Sequence, residues 1–211
     1  MSRLIILGAG GHGKVVADAA ELVGHWETVA FLDDRYPELT KIMHWPVLGR
    51  LEDVLTQANS NTEFLVAIGN NRVRLDWCRQ ILVAGARLAS VIHPRANVSR
   101  YAQLGAGTVC FAGAVVNIAA KLGVGCIVNS NGCVEHDCVL GDAVHICPHS
   151  ALAGGVTVGQ ASTVGIGSSV RQLIEIGTDV VIGAGSVVVS NIGSGLTIMG
   201  APAEPRKPQT N

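Results

Sequence analysis

Apolar residues recur at every sixth position through most of the second half of the chain. The series comprises Leu104, Cys110, Val116, Leu122, Val128, Val134, Leu140, Ile146, Leu152, Val158, Val164, Val170, Ile176, Ile182 and Val188. A glycine directly follows every third member of the first part of the series, at Gly105, Gly123, Gly141, Gly159 and Gly177. Six residues make one short strand with a corner, and eighteen make one triangular turn. The pattern therefore predicts a parallel β-helix of hexapeptide repeats.

The same register sets the expected extent of this β-helix. It extends back through Val98 to Ile92, which predicts a start near residue 93 and a little over five coils. The six-residue apolar period fades after Asn191, and the proline-rich segment 200–205 is expected to leave the coil. We expect the glycines at the corners to supply positive φ angles. Known hexapeptide β-helices are left-handed, against the usual right-handed crossover of parallel strands.

The first part of the chain alternates between strand and helix patterns. Buried strands are predicted over 3–7, 29–32 and 63–68, and helices over 14–23, 51–58 and 72–83. This alternation is typical of a small parallel sheet of the Rossmann type. The sequence therefore predicts an α/β domain over residues 1–88, followed by an all-β parallel helix with its tail over 89–211.

Composition and charge narrow the functional classes. The formal net charge is −1 and only 15% of residues are charged, so the chain lacks the basic footprint of a nucleic-acid-binding protein. The apolar segment near the N-terminus stops at Gly8, which is too short for a signal peptide or a membrane span. The six cysteines form no Cys-x-x-Cys pair. We interpret them as small buried side chains in a reduced, cytoplasmic compartment.

A glycine-rich turn over residues 8–13 separates the first predicted strand from the first predicted helix. With acidic residues about 25 positions later, it fits the dinucleotide-binding fingerprint, in which backbone N–H groups at a helix N-terminus hold phosphate. Taken literally, this fingerprint predicts that the turn binds NAD. However, the predicted sheet ends after three strands, about half a dinucleotide fold, and a nucleotide sugar needs only that half. The candidate contacts to such a nucleotide are Gly10, Gly11, Asp33, Asp34, Gly69 and Asn70.

Five segments, in order, carry a resemblance that spans nearly the whole chain. They are 8–14 (GAGGHGK), 31–34 (FLDD), 67–71 (AIGNN), 135–142 (EHDCVLGD) and 182–188 (IGAGSVV). The chain resembles the sugar acetyltransferases of bacterial O-antigen and glycan biosynthesis, especially the N-acetyltransferases of the bacillosamine and perosamine type. The sialic acid O-acetyltransferases are similar too. The resemblance implies acetyl transfer from acetyl-CoA to the 4-amino group of a nucleotide-linked amino-deoxy sugar, without a metal. It also implies a homotrimer with sites between subunits.

His136 is the candidate general base. An imidazole with an ordinary pKa near 6.5 can accept the proton of an attacking amine at neutral pH. Glu135 and Asp137 flank it, and a carboxylate bonded to one ring nitrogen would orient the ring. The resemblance favours Asp137 for this role and leaves Glu135 as the alternative.

The resemblance also assigns residues away from this motif. It implies that His145 contacts the acyl-CoA and that His12 and Asn129 lie near the sugar. It places coenzyme A in a groove between neighbouring subunits, along Gly154, Gly165, Ile166 and Ala184. A backbone N–H near Gly154 would then stabilise the tetrahedral oxyanion. Cys133 and Cys138 are the thiols nearest His136 in sequence, and both occupy repeat positions, so we expect direct transfer in a ternary complex.

Three alternatives remain open from the sequence. The acceptor could be a hydroxyl of a sugar or sialic acid, which the residues hardly distinguish from an amine. The chain could be a zinc-binding trimer of the γ-carbonic anhydrase type, with His136, His145 and His149 as ligands, although the last two are spaced by four where such sites use five. It could also be a nucleotide-sugar binder without enzymatic activity.

Overall fold

A four-stranded parallel sheet with helices on both faces forms the N-terminal lobe, which we define as residues 2–88. In this computed structural model, residues 2–205 are described. The lobe's elements are β1 (Arg3–Leu7), α1 (Gly11–Val23), β2 (Thr28–Leu32), β3 (Lys41–Ile42), β4 (Trp45–Pro46), a 3₁₀ helix (Leu51–Gln57), β5 (Thr62–Val66), α2 (Asn71–Val83) and β6 (Arg87–Leu88). The sheet order is β2-β1-β5-β6, and β3 pairs with β4 in a separate hairpin.

The central strand β1 explains why this sheet is covered on both sides. Leu4 and Ile6 pack on the α1 side, Ile5 and Leu7 pack on the α2 side, and all four are fully buried. Such a continuous apolar run is typical of a parallel strand with two covered faces. The sheet has four strands where three were predicted, because β6 pairs in parallel with β5.

The glycine-rich turn opens α1 earlier than the apolar pattern predicted. The helix begins at Gly11 rather than at residue 14, with Gly10 as its N-cap. A Cβ atom at Gly13 would collide with the backbone oxygen of Gly8 and lie 3.1 Å from the Phe31 ring. Gly13 therefore allows the helix to approach the sheet closely, which is the role of the third glycine in this fingerprint.

The second part of the chain is a left-handed β-solenoid of about six turns. Its strands are β7 (Val91–Ile92), β8 (Asn97–Val98), β9 (Gln103–Leu104), β10 (Val109–Cys110), β11 (Val115–Val116), β12 (Lys121–Leu122), β13 (Ile127–Val128), β14 (Cys133–Val134), β15 (Val139–Leu140), β16 (His145–Ile146), β17 (Ala151–Leu152), β18 (Thr157–Val158), β19 (Thr163–Val164), β20 (Ser169–Val170), β21 (Glu175–Ile176), β22 (Val181–Ile182), β23 (Val187–Val188), β24 (Thr197–Met199) and β25 (Glu204–Pro205). The first strand precedes the predicted start by two residues.

Three parallel sheets form the sides of this prism. Sheet 1 contains β7, β10, β13, β16, β19, β22 and β24, with β25 added at its end; sheet 2 contains β8, β11, β14, β17, β20 and β23; sheet 3 contains β9, β12, β15, β18 and β21. Successive strands of each sheet up to β23 are eighteen residues apart, as Val109 and Ile127 are. Strand β24 pairs with β22 at a spacing of sixteen. The apolar series fills the interior, so the predicted period is confirmed.

Positive φ angles occur at the corners, but not at the glycines that the sequence singled out. From Gly107 to Gly185, every sixth residue adopts a φ between 53° and 75°, including Asp137 and His149. The eighteen-spaced glycines serve another purpose. A Cβ atom at Gly105 would lie 2.5 Å from the Gly123 carbonyl oxygen, in the next coil. The expectation of positive φ at corner glycines holds at positions such as Gly107, Gly125 and Gly155 but is wrong at Gly154 and Gly165. The eighteen-spaced glycines are required instead by close stacking between coils.

The small residues inside the corners form a repeated hydrogen bond. Each hydroxyl or thiol donates to the carbonyl oxygen fifteen residues later, in the next coil, as Cys126 does to Gly141 and Cys138 does to Ala153. Serine and threonine make the same bond at Thr108, Ser150, Ser162 and Ser168. These cysteines are therefore weak donors as well as buried small side chains.

The end of the chain stays attached to the prism longer than predicted. Strand β24 stacks in parallel on β22, and the chain then reverses so that β25 pairs antiparallel with β24. Residues 206–211 of the predicted tail lie outside the described residues. Neither helix in the described range 2–205 combines the length and the apolar character needed to cross a membrane.

Candidate functional site

His136 lies on the corner that joins sheet 2 to sheet 3, which we call the His136 corner. Its Nδ1 atom lies 2.8 Å from Oδ2 of Asp137, and both side chains are more than half exposed. The Glu135 carboxylate turns away: it accepts a hydrogen bond from Asn117 Nδ2 at 2.9 Å and one from Cys133 Sγ at 3.5 Å. Of the two carboxylates proposed to orient the ring, the one in contact with it is Asp137.

Gly154 lies one coil beyond His136 and directly against its ring. A Cβ atom at this position would lie 2.5 Å from Nε2 of His136. The next residue, Gly155, donates its N–H to the His136 carbonyl oxygen at 2.9 Å. The lack of a side chain at Gly154 therefore lets the imidazole approach the backbone of the neighbouring coil. Its predicted contact with coenzyme A stays a prediction.

A second group of predicted residues gathers where the lobe meets sheet 1. Asn129 follows β13, and its Nδ2 lies 3.1 Å from Nε2 of His145 in β16. His12, in the first turn of α1, packs edge to face on Phe111 with 5.6 Å between ring centroids. The Nε2 atom of His12 is buried and makes no hydrogen bond within residues 2–205. The lobe and the solenoid thus build this region jointly.

Both histidines of this group are neutral at physiological pH. Burial is the largest cause that lowers the pKa of His145 to about 3, and the interactions with Arg74 and His12 act in the same direction. Burial and Arg74 also lower the pKa of His12 to about 4. Because an amide nitrogen only donates, the Nε2 of His145 accepts from Asn129, which places the His145 proton on Nδ1.

The predicted nucleotide contacts lie at the carboxyl ends of the lobe's strands. Asp33 accepts a hydrogen bond from the Ala9 N–H at 2.7 Å and is held by the guanidinium of Arg35 at 2.7 and 3.0 Å. The hydrogen bond from Arg35 is the main cause that lowers the pKa of Asp33 to about 2. Asp33 therefore ties the glycine-rich turn to the loop after β2. Its neighbour Asp34 is exposed and accepts from the Leu51 N–H.

Exposed glycine backbone surrounds this edge of the sheet. Gly10 and Gly11 are exposed at the start of α1, and no atom lies within 4 Å of where their Cβ atoms would be. Gly69 is equally open before α2, and Asn70 caps that helix by accepting from the Val73 N–H. Ligands of open α/β sheets bind at such carboxyl-terminal edges.

One chain does not bring all the predicted residues together. His136, Asp137 and Gly154 lie on the corner opposite sheet 1. His145 lies in a strand of sheet 1, and Asn129 directly follows another strand of that sheet. The remaining coenzyme candidates follow sheet 1 on the corner that joins it to sheet 2, which we call the third corner; they are Gly165, Ile166 and Ala184. The two groups of candidate residues therefore lie apart within one chain.

Two polar residues of α2 escaped the sequence interpretation. Arg74 and Asn71 are buried and hydrogen-bond to the solenoid. Neither was a candidate site residue in the sequence analysis, where Asn71 appears only as the last residue of the segment 67–71. One sequence offers no signal that these two side chains face the solenoid.

The three histidines of the zinc alternative lie apart within one chain. No cluster of histidine, cysteine and acidic residues suited to a metal is present in the range 2–205. His136 and His145 lie on different sides of the prism, and His149 occupies a corner position with a φ of 57°. A single chain therefore does not assemble the three proposed ligands.

Comparison with known proteins identifies the family. A model of the PglD N-terminal domain matches residues 3–81. The UDP-N-acetylbacillosamine N-acetyltransferase of Bacillus subtilis is 36% identical over 115 residues, which cover 53% of this chain and 52% of the relative. The match thus spans about half the length of that relative.

Two solved structures match over nearly their full length. The acetyltransferase domain of PglB from Neisseria gonorrhoeae, in complex with acetyl coenzyme A, is 39% identical with a TM-score of 0.94, covering 97% of this chain and 98% of that one. PerB from Caulobacter crescentus, in complex with CoA and GDP-perosamine, is 36% identical with a TM-score of 0.90, and 98% of each chain is covered. The chain therefore belongs to the hexapeptide acetyltransferase family, with a PglD-type N-terminal lobe, that includes the bacillosamine and perosamine N-acetyltransferases.

Proposed function

We propose that this protein transfers an acetyl group from acetyl-CoA to the 4-amino group of a nucleotide-linked amino-deoxy sugar. The observation that carries the proposal is the exposed His136–Asp137 pair, with 2.8 Å between Nδ1 and the carboxylate. This pair stands on a solenoid whose solved relatives hold acetyl coenzyme A in one case and CoA with GDP-perosamine in the other. The glycine-rich lobe supplies the second element of such an enzyme, a place for a nucleotide.

The chemistry follows from the orientation of the imidazole. When Asp137 accepts the Nδ1 proton, the lone pair of His136 Nε2 becomes the basic site. The amine nitrogen attacks the thioester carbonyl, and His136 takes the proton that the nitrogen loses as the C–N bond forms. The C–S bond then breaks, and the imidazolium returns its proton to the leaving thiolate. Amide and free coenzyme A result, without an acyl-enzyme.

Gly154 is suited to stabilise the intermediate between these steps. Gly154 lies against the imidazole, and its N–H makes no hydrogen bond to another atom within residues 2–205. A free backbone N–H next to the general base is the geometry that an oxyanion requires. We therefore assign the tetrahedral oxygen to this donor.

The complete site is proposed to form between subunits of a homotrimer. The His136 corner of one subunit would meet sheet 1 and the third corner of the next, which would join His136 to His145, Asn129 and His12. Exposed apolar side chains fit such a contact, since Ile118 and Leu173 stand on the His136 corner and Ile166 stands on the third corner. Large exposed apolar groups on corners are typical of surfaces that are covered in an assembly.

The remaining assignments place the two substrates. The nucleotide would lie on Gly10, Gly11 and Gly69, and the pantetheine arm would run along the third corner towards Gly154 of the neighbour. A cytoplasmic location is part of the proposal, because all six cysteines are free thiols, which is typical of a reducing compartment.

Turnover with a substrate panel tests the function. The panel contains UDP-, dTDP- and GDP-linked 4-amino sugars, each beside its 4-hydroxyl analogue, and the assay follows thiol release from acetyl-CoA. We expect release with at least one amino sugar and little with its hydroxyl partner. Release only with hydroxyl sugars would instead make the protein an O-acetyltransferase. Tight nucleotide-sugar binding without any release would make it a binder rather than an enzyme.

A further inference from the structure

Arg74 crosses the joint between the lobe and the solenoid with its side chain fully enclosed. It is 1% exposed. On the solenoid, its Nε donates to the Gly125 carbonyl oxygen at 2.9 Å, and its Nη2 donates to the Ala143 carbonyl oxygen at 2.9 Å. On the lobe, its Nη1 donates to the Ile68 carbonyl oxygen at 2.9 Å. One guanidinium therefore bonds the loop after β5 to two coils.

This arginine has no carboxylate partner within residues 2–205. Burial lowers its pKa to about 10, so it stays protonated at neutral pH. A buried charge held only by neutral acceptors is expensive, and an apolar side chain of similar volume generally serves stability as well or better. The planar fork of the guanidinium, however, can fix several acceptors at once, which an apolar chain cannot.

Asn71 extends the same joint by one coil. Its Oδ1 accepts from Arg74 Nη2 at 2.7 Å, and its Nδ2 donates to the Ala161 carbonyl oxygen at 2.9 Å and to Thr163 Oγ1 at 2.8 Å. Gly125, Ala143 and Ala161 are spaced by eighteen residues, so they are the same corner position in three consecutive coils. The first turn of α2 is thus hydrogen-bonded to three consecutive coils of the solenoid.

We propose that Arg74, together with Asn71, is a positioning residue that sets the height of the loop 67–70 along the solenoid axis. This inference rests on the proposed function, in which that loop contacts the nucleotide. Neighbouring coils are about 4.8 Å apart, whereas reacting atoms must come within about 3.5 Å. A lobe that slips or tilts by a fraction of one coil therefore carries the acceptor amine out of reach of a thioester that the solenoid holds.

The test compares four variants of the full chain. Arg74→Met removes the fork and the charge, Arg74→Lys keeps only the charge, and Asn71→Ala removes the third coil's bonds. Arg79→Met is the matched control, because Arg79 lies on the same helix and bonds Asp142 and Gln160 across the same joint, but at the surface. Rates are divided by the number of acetyl-CoA sites counted by calorimetry, so that misfolded protein does not lower them. Amide exchange of the segment 64–75 is measured in parallel.

We expect kcat per acetyl-CoA site to fall by about 10²-fold in Arg74→Met, and clearly in Arg74→Lys and Asn71→Ala, with little change in the KM for acetyl-CoA. The loop 67–70 should exchange faster in all three, and Arg79→Met should behave as the wild type. Wild-type rates in Arg74→Lys, or an equal loss in Arg79→Met, would overturn the inference. If Arg74→Met does not fold, the results for Arg74→Lys and Asn71→Ala test the inference. If the wild-type protein shows no turnover, the proposed function alone is refuted. Unchanged amide exchange of the loop 67–70 in the variants would still refute the positioning role of Arg74 and Asn71.

Discussion

Asp137 combines an unusual backbone conformation with a proposed chemical role, that of orienting His136. Its φ of 61° lies in the left-handed region, which asparagine and aspartate tolerate better than other side chains. The substitution Asp137→Asn therefore keeps the corner and removes only the negative charge that holds the imidazole. We expect kcat to fall about 10²-fold, within the range that general-base catalysis contributes, with little change in thermal midpoint. Steady-state kinetics measure kcat, and a melting curve measures the thermal midpoint.

The solenoid offers a matched control for this variant. Asp179 is also an exposed aspartate with a left-handed φ, of 55°, but it pairs with Arg72 on the corner that faces the lobe. Asp179→Asn should leave kcat within about twofold, because exposed ion pairs contribute little. Equal losses in the two variants would show that corner charge in general matters, not the carboxylate beside His136.

Gly154 makes a second prediction at the level of single residues. In Gly154→Ala the added methyl would occupy the space of the imidazole, and the exposed ring would turn aside and lose its bond to Asp137. Turnover should fall at least tenfold while stability changes little, because the displaced ring moves into solvent. Gly193→Ala is the control, since its Cβ would meet only Leu196 at 3.9 Å. Unimpaired turnover in Gly154→Ala would contradict the observed ring position.

Single residues also mark the limit of what the sequence could predict. The contact of His136 with Asp137 follows from neighbours in a motif, so local sequence was enough to suggest it. The contacts of Arg74 were out of reach, because its acceptors are carbonyl groups that lie 51 and 69 residues away and have no side-chain signature. The reason for the repeated glycines was missed on similar grounds, since stacking between coils depends on backbone distance.

At the scale of the coil, the fifteen-residue hydrogen bond makes two buried cysteines behave differently. Cys126 occupies a position where serine and threonine bond the same carbonyl, so Cys126→Ser should preserve that bond and shift the melting midpoint by only a few degrees. Cys110 belongs to the apolar series and points into the core. In Cys110→Ser the hydroxyl would be buried among apolar side chains, at a cost of about 1–3 kcal/mol. The melting midpoints of both variants are measured by calorimetry. Comparable losses of stability in the two variants would refute the distinction between these cysteines.

In the lobe, the link between β1 and the loop after β2 predicts a pH dependence. Asp33 bonds the Ala9 N–H and Arg35, and its folded pKa is lowered to about 2. Its contribution to stability is therefore full above the unfolded pKa of about 4 and is lost as the pH falls towards 2. Asp33→Ala should lower the midpoint at pH 7 by a few degrees. Melting curves from pH 7 to pH 2 should converge with the wild type at the acid end.

The elements themselves differ in how far they could be predicted. The strands β7 to β23 follow from one period, because each apolar position is buried by the same coil geometry. The strands at the edges of the sheets were harder to predict. Strands β6 and β24 exist because a neighbouring strand offers them hydrogen bonds, which is a property of the assembled sheet and not of their own residues.

On the scale of the whole molecule, the separation of the two groups of candidate residues gives a direct test of the proposed assembly. If His136 of one subunit works with His145 of the next, His136→Ala and His145→Ala should each be strongly impaired when pure. Mixed trimers made by co-expression should regain activity, since random assembly leaves about a quarter of the sites with both wild-type residues. Differently tagged subunits allow the mixed species to be purified and assayed. A double variant, His136→Ala with His145→Ala, mixed with wild type controls for simple dilution. No recovery in the mixed trimers would place both histidines in sites built by one chain, contrary to their positions on opposite sides of the prism.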